Sequence, residues 1–271
     1  MRFVVGSRRR QNVGAVPLSH GVKPNARWSF VASLRWGEII DRAAKRGLDG
    51  ALSALLLLLM LPVFVAIALA IKLDSRGPVI YVCRRVGHRG GVLHMLKFRK
   101  LVDAAGGPPL TVEGDVRFTR VGRFLAKSKL DELPQLWNVL KGEMSLVGPR
   151  PEDAEFVDRF AAEYREILRV KPGIAGLCQL AFAKENEILD PDDSVPDYVH
   201  RLLPQKIKLD LLYAERRSLT MDLMILLWTL VVTLVRRDVA VDRATGQLSL
   251  RKRGPVFELQ PIETAASVVA E

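Results

Sequence analysis

The chain is poor in the residues that build covalent or metal frameworks. Cys83 and Cys178 are the only cysteines in 271 residues. No disulfide framework is implied, and both read as core residues in a reduced, cytoplasmic setting. His20, His88, His94 and His200 show no metal-ligand spacing with one another or with the cysteines. Arg8-Arg9-Arg10 are not followed by an apolar stretch, so no secretory signal is expected. No internal repeat is visible. Acidic residues are scarce near the start: residues 1–46 hold ten Lys/Arg against Glu38 and Asp41, supplying +8 of the net +11. Such an arm suits anionic headgroups or nucleic acid, or stays a solvated tail.

What is present is dominated by one apolar run. Residues 51–71 are twenty-one positions without a charge, interrupted only by Ser53 and Pro62. About twenty apolar residues can cross a bilayer core of about 30 Å, so a spanning helix is the first reading. Pro62 at the midpoint removes a donor and should kink it. Arg42, Lys45 and Arg46 precede the run, and Lys72 and Arg76 follow it. Basic residues at both ends choose no orientation. They also fit a re-entrant hairpin bent at Pro62, and a buried soluble helix stays open.

Beyond Asp74 the pattern turns mixed. Val79 to Val82 reads as a short buried strand and Val92 to Phe98 as an extended run after the tight loop of Gly87, Gly90 and Gly91. Helices are expected near Val121, from Asp131 to a stop at Gly142, over residues 154–170, and over 198–217. Asp131 as N-cap places Pro134 in the first turn and aligns Leu133, Leu136, Trp137 and Leu140 on one stripe. The alternative, Ser128 as cap, puts Pro134 inside the helix. Residues 184–197 read as an acidic surface loop, and 223–235 as a core or interfacial helix too short to span easily. Residues 240–271 read as a loose tail.

Two features can carry chemistry. An isolated Asp131-Glu132 at a helix start is most often a cap. It can also be an ionised pair at a phosphate-accepting helix terminus, with Asp131 able to attack phosphorus and Glu132 able to share a divalent cation. Arg150 lies between Pro149 and Pro151, on a stiffened backbone, with a guanidinium fork that matches phosphate. Lys97-Phe98-Arg99-Lys100 and Arg84-Arg85 add cationic surface near the apolar run, which alone reads as a solvated face or lipid contact.

The order of these elements resembles the small monotopic bacterial phosphoglycosyl transferases, also called bacterial sugar transferases. The resemblance runs from about Lys45 to Val239. It includes Lys45-Arg46-Gly47-Leu48-Asp49, Pro62, Gly77-Pro78, Arg85-Val86-Gly87, Lys97-Phe98-Arg99, Asp115-Val116-Arg117 and Val121-Gly122-Arg123. Its strongest part is residues 130–152, and Lys171-Pro172-Gly173-Ile174 and the Leu209 to Asp222 region complete it. The resemblance implies transfer of a phospho-sugar from a UDP-sugar to a polyprenyl phosphate such as undecaprenyl phosphate, with release of UMP. It implies Asp131 as nucleophile beside Glu132, Mg²⁺ held by both, and Arg150, Lys97, Arg99 and Arg85 on phosphate. It also implies a re-entrant helix broken at Pro62 in a bacterial inner membrane, with the catalytic domain facing the cytoplasm.

The expected fold is thus α+β and mostly helical, with a proline-broken hydrophobic helix, interfacial amphipathic helices and a few short strands. Its expected parts are a basic arm (1–40), the hairpin (41–74), a catalytic domain (75–239) and a tail (240–271). Expected partners are the UDP-sugar, the polyprenyl phosphate and membrane lipids, with a homodimer allowed and no nucleic acid. The family's larger members carry extra upstream helices, so the chain reads as a minimal catalytic form. The chain departs from the pattern at Lys100-Leu101 (commonly Thr-Met), Cys83 (Gln), Lys129 (Ser) and Leu177-Cys178 (Trp-Ala), and in its basic arm. The alternative is a membrane-anchored basic binding or scaffold protein whose dyad is only a cap.

Overall fold

A computed structural model describes residues 36–102, 110–112, 114–190, 193–235 and 239–250. Most of the basic arm and everything past residue 250 lie outside them. The apolar run becomes two helices, α1 (Trp36–Leu59) and α2 (Leu61–Asp74). Among the described residues no single helix is long and apolar enough to cross a membrane, and the pair bends by 60° at its break. The cause is local: Pro62 sits in the first turn of α2, where its missing N–H breaks the ladder from α1. The kink expected at Pro62 is present as this sharp break, which a broken span and a re-entrant hairpin share.

The α2 face with Ile67 and Ile71 packs on Phe98 and Leu125, and Phe64 tilts against Phe98 with ring centroids 5.3 Å apart. Its other face leaves Val65, Leu69 and Leu73 exposed, as α1 leaves Leu55 and Leu58. The α1 stem is fixed at three polar points. Lys45 pairs with Asp222 at 2.6 Å, and buried Asp49 accepts from Ser145 Oγ at 2.7 Å. Arg46 donates to the Val139 and Leu140 carbonyls, which lie near the C-terminus of a helix, where a cation is favoured.

A hairpin follows, β1 (Ile80–Val86) against β2 (Val92–Phe98), antiparallel with Ile80 opposite Phe98. Then come α3 (Arg120–Ser128), capped by the Thr119 hydroxyl, and α4 (Gln135–Lys141), stopped by Gly142 at φ 84°. Two three-residue strands, β3 (Ser145–Val147) and β4 (Gly173–Ala175), pair in parallel across α5 (Ala154–Arg159) and α6 (Ala161–Ile167). The remaining helices are α7 (Leu177–Ala181), α8 (Glu185–Ile188), α9 (Ser194–Asp197), α10 (Leu203–Arg216) and α11 (Leu219–Leu230). A short hairpin, β5 (Val239–Val241) with β6 (Leu248–Leu250), ends the described chain.

Five expectations change. The first strand runs on to Val86, and its Ile80, Tyr81 and Val82 are exposed instead of buried. Residues 154–170 hold two helices, divided at Phe160, whose φ of −122° leaves the helical range. The acidic 184–197 stretch contains α8 and α9. Part of the expected tail is β6. The stripe on α4 is also rotated: Leu136 and Val139 are buried while Trp137 is exposed.

Candidate active site

The dyad sits in a turn, not at a helix cap. After α3, Lys129 takes the left-handed conformation at φ 58°, a sparsely populated region for a lysine. A single tight turn, Leu130–Glu132, follows. The residue before α4 is Pro134, and no side chain caps that helix. The Asp131 carboxylate is therefore not used as a cap, against both sequence frames. It is 2% exposed and faces Lys100, whose Nζ lies 3.2 Å from Oδ2.

Glu132 holds two cations on one oxygen: Lys97 Nζ at 3.1 Å and Arg150 Nη2 at 2.9 Å from Oε1. Burial alone would raise its pKa, but Arg150 and then Lys97 outweigh burial and hold it well below the usual carboxylate range. Glu132 in turn raises Arg150, while burial lowers Lys97 against the pull of Glu132. Lys97 is delivered by β2, and Asn138 fastens α4 to that strand. Asn138 accepts from Leu96 N–H at 3.0 Å and donates to the His94 carbonyl at 2.9 Å. The Lys129 side chain reaches solvent at the rim. Packed atoms around its ammonium, then Arg150, lower its pKa.

Arg150 is presented by a loop with little freedom. Gly148 N–H bonds Ala175 O at 2.9 Å, and Gly173 N–H bonds Pro149 O at 2.8 Å. A Cβ on Gly148 would lie 2.4 Å from the Lys171 carbonyl, so only glycine allows this approach. Behind the loop Glu152 is buried. It accepts from Tyr198 OH at 2.6 Å and from Lys206 Nζ at 3.1 Å, and Lys206 also reaches Glu185 at 3.2 Å. Such a buried charge needs these partners. Next to it, burial pushes the Asp210 carboxyl up to about 7.

Of the expected site residues, the structure brings Asp131, Glu132, Lys97 and Arg150 together. Arg99 goes elsewhere: its guanidinium is spent on the carbonyls of Ser75, Arg76 and Pro78. It lies past the last β2 residue, where strand alternation no longer fixes direction. Arg85 pairs with Asp153. Pro62 lies in the bend between α1 and α2. Lys100 is legible in the sequence as part of a cationic surface and as a departure from the family pattern, and Lys206 not at all. A lysine eight residues after a tyrosine gives no sequence signal until the 198–210 region closes over Glu152. The dyad offers hard oxygen donors, with the ion pairs above running to Asp131 Oδ2 and Glu132 Oε1. No group of three or more His, Cys, Asp or Glu among them could hold a metal. The donor set therefore fits a cation shared with a phosphate substrate, not a protein-only cage.

Asp131, buried, and Glu132, half-buried, stand among Lys97, Lys100, Lys129 and Arg150, beside a bent apolar helix pair. The comparisons with known proteins name the class: the family model for bacterial sugar transferases matches residues 40–236. The chain belongs to that family. It is 39% identical over 193 residues to the UDP-N-acetylgalactosamine-undecaprenyl-phosphate N-acetylgalactosaminephosphotransferase of Aeromonas hydrophila, covering 69% of this chain and 42% of that protein. It is 38% identical to the undecaprenyl-phosphate glucose phosphotransferase of Komagataeibacter xylinus, over 70% of this chain and 36% of the relative. A UDP-glucose:undecaprenyl-phosphate glucose-1-phosphate transferase of Caulobacter vibrioides is 39% identical over 73% of both chains. The chain thus spans less than half the length of the first two and about three quarters of the third.

Proposed function

We propose that the protein transfers a sugar-1-phosphate from a UDP-sugar to undecaprenyl phosphate or a similar polyprenyl phosphate. The observation that carries this reading is the pairing of Asp131 with Lys100 beside a Glu132 held by Lys97 and Arg150. The names of the relatives supply the substrate class.

In the first step an Asp131 carboxylate oxygen attacks the sugar-linked phosphorus of the donor. The bond from that phosphorus to the bridging oxygen breaks, and its electron pair leaves with UMP. In the second step a phosphate oxygen of the polyprenyl phosphate attacks the same phosphorus and displaces the Asp131 carboxylate. The product is a polyprenyl diphospho-sugar, and the enzyme is restored. Arg150 and Lys97, already preorganised on Glu132, stabilise charge that develops on the phosphoryl oxygens. Asp131 and Glu132 would hold Mg²⁺, which supplies charge neutralisation of the donor diphosphate.

The apolar faces of α1, α2 and α11 (Leu58, Leu69, Leu73, Leu223, Leu227 and Leu230 exposed) support a re-entrant anchor in the inner membrane, with the dyad on the cytoplasmic side at headgroup depth. The test is a panel of UDP-sugars given to purified protein with Mg²⁺ and undecaprenyl phosphate, measuring UMP. Asp131→Asn should abolish release by at least about a thousandfold, as expected when a nucleophile is removed. In the wild type, donor alone should add the mass of a phospho-sugar to the Asp131 peptide. Unchanged turnover in the variant would refute the mechanism.

A further inference from the structure

Four cations surround two carboxylates at the dyad, and they are not equivalent. Lys97 and Arg150 both engage Glu132. Lys129 reaches the rim. Lys100 alone pairs with Asp131, the proposed attacking residue.

Its position is built by the fold. The Lys100 carbonyl accepts from Thr119 N–H at 3.1 Å, and the next residue, Leu101, bridges to Phe118. Gly122 of α3 lies so close that a Cβ there would stand 1.9 Å from the Lys100 carbonyl oxygen. The ammonium also lies 5.8 Å from the Phe118 ring centroid. A clamped backbone therefore directs a positive charge onto the oxygen of a carboxylate that is otherwise buried.

We infer that Lys100 is a built-in counter-ion for Asp131 that exchanges the carboxylate for a diphosphate oxygen when the donor arrives. Asp131 is charge-balanced while the site is empty. The donor takes the ammonium, which frees the carboxylate oxygen to face phosphorus. A lysine ammonium suits this exchange because it is a compact point charge with rotatable donors on a flexible stem. Part of the diphosphate charge is then met by protein, so the donor binds measurably without a divalent cation. The inference rests on the UDP-sugar reading above.

The experiment titrates UDP into the full chain in nanodiscs, by calorimetry, in EDTA and in Mg²⁺. The wild type should bind in both buffers. Lys100→Thr should lose roughly tenfold or more of its affinity in EDTA, as expected for one charge-assisted hydrogen bond, and less in Mg²⁺. Lys100→Arg should retain most of it, and Lys141→Thr, an exposed control paired with Glu143, should match the wild type. A second readout is Mn²⁺ binding to the ligand-free protein by spin resonance. It should tighten in Lys100→Thr and Lys100→Met, where no ammonium competes for Asp131. Equal UDP affinity in EDTA for wild type and both neutral variants overturns the inference, as does wild-type binding seen only with Mg²⁺. A wild type that binds no UDP in either buffer refutes the donor reading itself.

Discussion

The side chains at the centre show how burial and charge are set against each other. Glu152 is buried and Glu132 half-buried, and both are held below the usual carboxylate range because cations outweigh desolvation. Asp210 has the opposite balance. Its Oδ1 finds no hydrogen bond, and burial outweighs the help from Cys178 and Lys206, leaving the carboxyl near 7. A raised acid binds its proton more tightly folded than unfolded, where an aspartate titrates near about 3.9. Its contribution to stability is full below that value and is lost as pH rises through about 7. Relative to Asp210→Asn, which stays neutral, the wild type should therefore lose up to about 1.4 kcal/mol of stability per pH unit between about 4 and 7. Denaturation of both proteins at pH 5, 6, 7 and 8 reads this, and parallel curves would remove the assignment.

At the scale of elements, the second hairpin strand, the start of α3 near Val121, the stop at Gly142 and the break at Pro62 were all legible. The last two are carried by local signals, a left-handed glycine and a missing N–H, whereas the first strand is longer and more exposed than its apolar run suggests. The turn that carries Asp131 was not legible. It depends on Lys129 at φ 58°, and sequence rules reserve that conformation for glycine and asparagine. The β3–β4 pair was missed because three residues joined across two helices have no periodicity of their own. The convergence of Lys97 and Arg150 on Glu132 was expected only as a shared role on phosphate; the ion pairs themselves come from Asn138 tying α4 to β2, a contact between chain segments about forty residues apart. The bend itself makes a prediction about topology. With Cys83 and Cys178 replaced, cysteines introduced at positions 40 and 76 should both label from the cytoplasmic side of intact cells. Label on opposite faces would restore the span. Pro62→Leu should shift the outcome toward that pattern, since it returns the missing donor.

Across the whole molecule, charged contacts join parts far apart in sequence. Lys45 donates to Asp222, which also accepts from Tyr213 OH at 2.7 Å, so α1, α10 and α11 meet at one carboxylate. The core behind them is continuous, from Leu93 of β2 to Ile225 of α11. The α1 stem is bolted to the domain at Lys45, Arg46 and Asp49, and α2 returns to pack on Phe98 and Leu125. The tip of the hairpin therefore stands at a height above Asp131 that the protein sets, not the lipid. On the membrane reading this is a ruler that measures from one leaflet only. Turnover should then vary little across bilayers of different acyl-chain length, whereas a spanning anchor would register every change in thickness.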